Sequence, residues 1–101
     1  MNAGTANMDH PDLAVKELKN IGTTVAQRLN QVGIRTKGDL KRVGAVTAYC
    51  EIKQRHPEAR TPLCFYLYSL EGALRDQHWD DIGEDVKQAL RADAARFLDA
   101  T

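Results

Sequence analysis

Cys50, His56, Cys64 and His78 are the side chains from which this chain would build a metal site, and their spacing argues against one. Structural zinc sites present paired ligands about two to four residues apart, and none of these residues stands that close to another. Cys50 falls on an apolar helical face, where packing explains it better than ligation. Catalysis would draw on His56, His78, Asp80 and Asp81, or on Cys64 as a nucleophile. Each has a simpler role. His56 precedes a proline at a helix end, where an imidazolium suits the negative end of the dipole, and Asp80 and Asp81 stand where a following helix favours acids. There is no glycine-rich phosphate loop, nucleophile elbow or HExxH pattern. The expectation is a protein that is not an enzyme, with no catalytic residue, no metal and no cofactor.

Anion binding is the remaining chemistry. Gly22, Thr23 and Thr24 open a helix whose first amides have no partner within it, and such amides can hold a phosphate. Lys19, Arg35, Lys37 and Lys41 would add positive charge nearby. These seven residues are the candidate nucleic-acid-binding set. Hairpins that bind phosphate well place two glycines around an apolar residue, whereas position 20 here is Asn. The simpler reading is that Gly22 only closes a turn.

The charge balance bears on both readings. Fourteen Lys and Arg against fourteen Asp and Glu leave no net attraction to nucleic acid or to an anionic membrane. The average conceals an asymmetry: residues 1–62 hold ten basic against six acidic side chains, and residues 63–101 hold four against eight. The basic excess therefore lies in the half that holds the seven candidate residues. The longest apolar run, Leu63 to Leu70, is less than half of the roughly 20 residues that cross a bilayer. The start of the chain lacks the basic and apolar character of a secretory signal, and two cysteines among apolar neighbours suit a reducing compartment. A cytoplasmic protein with no membrane partner is expected.

These candidates must be positioned by helices, since no segment shows the alternation of a strand. Residues 1–10 have almost nothing apolar to bury and read as a flexible tail, with one domain over residues 11–100. A first helix is predicted over Pro11–Lys19, with Leu13, Ala14, Val15 and Leu18 as its apolar face. Asn20-Ile21-Gly22 ends it, with Gly22 supplying the positive φ. Thr23 or Thr24 then caps a helix carrying Val25, Ala26, Leu29 and Val32, which stops at Gly33 with Ile34 folding back on it. Thr36 and Asp39 form a capping box for a short helix bearing Leu40 and Val43. After Gly44, a helix with Val46, Tyr49, Cys50 and Ile52 inward and Lys53 and Arg55 outward runs to His56-Pro57.

Thr61-Pro62 starts the predicted central helix, Leu63–Gln77, in which Gly72 marks a close crossing by another helix. Trp79 is expected in the core, its indole N–H bonded to a turn carbonyl. A last helix follows Gly83, with Val86, Ala89, Leu90, Ala94 and Phe97 as its stripe. Its Lys87, Arg91 and Arg96 alternate with Glu84, Asp85, Asp93 and Asp99 as a solvated face. Its Phe97-Leu98 end buries either on the domain or on a second chain, and an apolar patch near Phe65 or Phe97 would mark a docking surface. The fold class expected is all-α: a single-domain bundle of five or six short helices containing a helix-hairpin-helix-like (SAM-like) unit between Leu18 and Leu40.

The order Leu18-Lys19-Asn20-Ile21-Gly22, Leu29, Val32-Gly33-Ile34-Arg35-Thr36, Asp39-Leu40 resembles the helix-hairpin-helix of small DNA-associated domains. It continues through Val43-Gly44-Ala45-Val46, Ala48-Tyr49, His56-Pro57, Leu67-Tyr68-Ser69-Leu70-Glu71-Gly72-Ala73-Leu74 and His78-Trp79. Over about residues 13 to 90 this series resembles the C-terminal domain of the TfoX (Sxy) regulators of natural transformation. The resemblance implies an all-helical fold, no known reaction, and a bacterial regulatory role linked to competence, DNA transformation and transcription. It implies a protein partner of that machinery, with DNA as the second possibility, and a monomer or weak homodimer. Members of the family carry an α/β domain before this module, and the matching stretch here begins close to Met1. The matching residues are mostly glycine, aliphatic and aromatic, types that shape backbones and cores and do not define a binding site.

Overall fold

The computed structural model describes residues 12–58 and 63–100. The expected tail, Pro11, the Thr61-Pro62 cap and the side chains of Cys64, Phe65 and Asp99 lie outside the described residues. Among the described residues five α-helices follow one another: α1 Thr23–Gln31, α2 Lys37–Val43, α3 Ala45–Arg55, α4 Leu63–Arg75 and α5 Glu84–Ala100. Single 3₁₀ turns at Val15–Glu17 and Trp79–Asp81 precede α1 and α5.

The helix predicted over Pro11–Lys19 is not formed. Ala14 and Leu18 bound one 3₁₀ turn in extended conformation, with ψ of 143° and 151°. Ala14 pairs with Thr36 in an isolated antiparallel bridge. Val15 N–H donates to the Arg35 carbonyl at 3.0 Å, and Lys37 N–H donates to the Leu13 carbonyl at 2.8 Å. Backbone groups that a helix would pair along the chain are paired across it, and Val15 and Leu18 are still buried. Leu13, expected on the apolar face, is exposed.

The turns around α1 and α2 follow from local sequence. Gly33, at φ 85°, donates to the Asn30 carbonyl, and Ile34 N–H reaches back to the Leu29 carbonyl at 2.9 Å. This is a Schellman motif, with buried Leu29 and Ile34 as its hydrophobic pair. The capping box of α2 is complete. Asp39 N–H donates to Thr36 Oγ1 at 3.2 Å, while Asp39 Oδ2 accepts from the backbone of Thr36 and of Arg35. Thr36→Ala should cost about 1 kcal/mol, lowering the melting temperature by roughly 4–8 °C; an unchanged thermal melt would show that the box contributes nothing. The Arg35 backbone N–H, with the Arg42 guanidinium beside it, holds the Asp39 carboxyl below its usual range. A depressed carboxylate stabilises the fold above its unfolded pKa near 3.8, so this contribution should persist at neutral pH and vanish as pH falls below that value.

In α4, Tyr66, Leu67, Tyr68, Ser69, Leu70 and Ala73 are buried on all sides, as a helix at the centre of the domain requires. It stops at Arg75, two residues short of expectation, where Asp76 turns left-handed at φ 57°. Around it pack Val25, Ala26 and Leu29 of α1, Leu40 of α2, Ala45, Ala48, Tyr49, Cys50 and Ile52 of α3, and Leu90 and Ala94 of α5. Ala89 is exposed and does not belong to the stripe of α5; Val86, Phe97 and Leu98 are half-buried against this core. The Phe97 end therefore packs on its own domain.

Candidate functional site

Asn20, and not Gly22, carries the left-handed conformation of the glycine turn, at φ 73°. Gly22 is extended (φ −91°, ψ −176°) and is itself the residue preceding α1, so neither Thr23 nor Thr24 caps the helix. Asparagine tolerates the left-handed region because its short polar side chain finds nearby partners, and here those partners are distant in sequence. Nδ2 donates to the carbonyl of Gln77 at 2.8 Å and lies 3.4 Å from that of Ser69, while Oδ1 accepts from Trp79 N–H at 3.3 Å. Gly72 makes room for this clasp. A Cβ there would stand 2.6 Å from both Asn20 Nδ2 and the Gln77 carbonyl oxygen. The close approach predicted at Gly72 thus comes from a side chain and a turn, not from a crossing helix.

The hairpin residues are not all presented together. Lys19, Gly22, Thr23, Thr24, Arg35 and Lys41 are exposed, but Lys37 is buried at the first position of α2. Thr23 and Arg35 share an open cleft of about 420 Å³ between the first 3₁₀ turn and α1. Val15 and Ala26, both buried, form its floor, with Ala14 beside them. Thr23, Gln27 and Asn30, spaced along one face of α1, form its polar wall, and Lys16 and Arg35 bring two exposed cations to it. Sequence reasoning missed Lys16, Gln27 and Asn30. The repeat Thr23, Gln27, Asn30 at helical spacing was the available signal, since it defines a polar face flanking the buried stripe.

His56, His78 and Asp80, three of the residues weighed for catalysis, make contacts that serve the fold. His78 Nδ1 accepts from Asp80 N–H at 3.1 Å and caps the second 3₁₀ turn. His56 Nε2 lies 2.7 Å from Gln31 Oε1, joining the ends of α3 and α1. The charges on α5 are more than a solvated face. Lys87 Nζ sits 2.9 Å from Asp80 Oδ1, over the rings of Tyr68 and Trp79 at 5.5 and 5.4 Å. Arg91 donates to the Tyr68 hydroxyl at 2.5 Å and pairs with Glu84. Trp79 is half-buried against the core, and its place is fixed by its backbone N–H on Asn20 and by the lysine on its ring. The Lys87 bond draws the Asp80 carboxyl down, and Asp80 draws the Lys87 ammonium up. Among the described residues no three His, Cys, Asp or Glu side chains converge on a point that would hold a metal. Nor is any helix there long and apolar enough to cross a membrane.

The family model of the TfoX C-terminal domain matches residues 12–94, from the bridge segment before the glycine turn into α5. The chain belongs to the TfoX C-terminal domain family. Two crystal structures of Listeria monocytogenes proteins share its fold. One, of an uncharacterized protein in a triclinic form, superposes with a TM-score of 0.69 at 33% identity, covering 77% of this chain and 85% of that one. The other, of a protein of unknown function in a tetragonal form, gives the same score and identity over 77% of this chain and 93% of that one. No curated protein matches the chain. The TfoX C-terminal family is a regulatory type of domain, not a known enzyme family, and the five-helix architecture around α4 is this chain's version of it.

Proposed function

We propose that this TfoX C-terminal domain is a non-catalytic regulatory module, linked to competence and its transcriptional control, that acts in the cytoplasm by binding another protein. The observation that supports this reading is the open cleft beside α1. Its buried Val15–Ala26 floor suits the side chain of a protein partner better than a sugar-phosphate backbone, and its polar wall can satisfy main-chain groups. Of the side chains weighed for catalysis, His78 caps a turn, His56 meets Gln31 and Asp80 pairs with Lys87. The module needs no cofactor on this reading and works as a monomer or weak homodimer. Deleting the gene in its host should change transformation frequency and the transcripts of DNA-uptake genes, with rescue by the intact chain. Unchanged frequency and transcripts would overturn the regulatory role.

Direct binding of DNA phosphate is the second reading. It is favoured by the exposure of Gly22, Thr23 and Thr24 at the start of α1, and by Arg35 sharing a cleft with Thr23. Against it stand the burial of Lys37 and the Asn20 clasp, which commits the turn to the chain's own residues 77–79.

A further inference from the structure

All four basic side chains of residues 63–101 are paired within that half: Arg75 with Glu71, Lys87 with Asp80, Arg91 with Glu84, and Arg96 with Asp93. Lys16 and Arg35 differ. Both are exposed, both border the cleft beside α1, and among the described residues neither side chain enters an ion pair and no carboxylate lines the cleft. The cleft thus combines a buried apolar floor, hydrogen-bonding amides at Gln27 and Asn30, and two cations outside the ion pairs of the described residues. We infer that it docks an acidic segment of a partner protein, inserting an apolar side chain over Val15 and Ala26 while flanking carboxylates meet Lys16 and Arg35.

The inference rests on the protein-binding reading above and names the site and chemistry of that partner. Charge complementarity supplies specificity and rate of encounter, and the apolar floor supplies the part of the affinity that salt does not remove. Duplex DNA offers charge without an apolar group to insert, so it would use the cations and leave the floor empty. A basic segment would bring like charge to both cations.

The test is a chemical-shift titration of the ¹⁵N-labelled full chain with three probes. These are a synthetic peptide alternating Asp or Glu with Leu, its counterpart with Lys for each acid, and a short DNA duplex. The acidic peptide should shift the amides of Val15, Lys16, Gln27, Asn30 and Arg35. Lys16→Glu and Arg35→Glu should each weaken it about tenfold, whereas Arg55→Glu, an exposed cation outside the cleft, should leave it within about twofold. Gln27→Trp fills the mouth at an exposed position without changing charge, and should abolish binding with the helical signal intact. Equal binding of the basic peptide, no shift at millimolar peptide, or tighter binding of the duplex at these same amides would overturn the inference. Acidic-peptide shifts confined to other surfaces would overturn the cleft and leave the protein-binding reading standing, which the host deletion tests separately.

Discussion

Replacing Gly72 by alanine should destabilise the protein by about 1–3 kcal/mol, the usual cost of forcing atoms into packed space. The sign is the informative part. In an ordinary helix interior the same change gains about 1 kcal/mol, because alanine is the better helix former. Here the new methyl would meet the Gln77 carbonyl oxygen at 2.6 Å and the Trp79 Cα at 3.3 Å, both backbone atoms, as well as Asn20 Nδ2 at 2.6 Å. The side chain can swing aside, but the carbonyl moves only if the turn into the second 3₁₀ segment moves with it. Urea unfolding of Gly72→Ala against the parent chain measures this directly. A stabilised variant would mean that the turn yields freely and that the clasp carries little energy.

Asn20→Ala should cost about 2–3 kcal/mol. Roughly half comes from hydrogen bonds to Gln77 and Trp79, at about 0.5–1.5 kcal/mol each. The remainder comes from holding alanine in the left-handed region, which costs about 1–2 kcal/mol. Asn20→Gly separates the two contributions, since glycine keeps the conformation at φ 73° without strain and loses only the amide. Its loss should therefore be smaller than that of Asn20→Ala. Combining Asn20→Gly with Gly72→Ala should cost less than the sum of the single losses, because removing the amide relieves one of the close contacts. Wild-type stability in Asn20→Gly would contradict the assignment of Asn20 as a clasp between the glycine turn and the α4–α5 connection.

The parts of the fold legible in the sequence are those whose cause is local. The Gly33–Ile34 stop and the Thr36–Asp39 box are written within four residues, and both form as their residue types require. The central place of α4 is legible because its apolar residues cover every face. The segment before Asn20 misleads because the groups that pair its backbone, at Arg35 and Lys37, lie some 20 residues away along the chain. Apolar spacing in a short window does not distinguish an amphipathic helix from a bridged 3₁₀ turn that buries the same Val15 and Leu18.

Asn20 is the clearest case of a residue whose role was hidden. By type and position it looked like a weakened version of a glycine, and its partners stand 49 to 59 residues away. Lys87 and Arg91 resembled a solvated face because alternating charge usually is one. Tyr68 and Trp79, which come from α4 and the second 3₁₀ turn, convert them into fasteners. The candidate site was legible only as a list. Thr23 and Arg35 were named, but their common cleft depends on the Ala14–Thr36 bridge, and with it come Lys16, Gln27 and Asn30. Lys37 was named for its charge, and its burial follows from the same bridge, whose bonds fix the start of α2.

Protein binding, as opposed to DNA binding, is tested most directly by anisotropy of a labelled DNA duplex with the full chain over a salt series. A zero-net-charge domain whose glycine turn is committed to its own residues 77–79 should show no saturable binding at about 0.15 M salt, a concentration that screens exposed charges beyond about 8 Å. Any low-salt binding should be the same for Lys41→Glu and for the parent chain. Saturable binding at that salt, falling steeply as salt rises and weakened by Lys19→Glu and Lys41→Glu, would contradict the account and make the hairpin a phosphate-binding element.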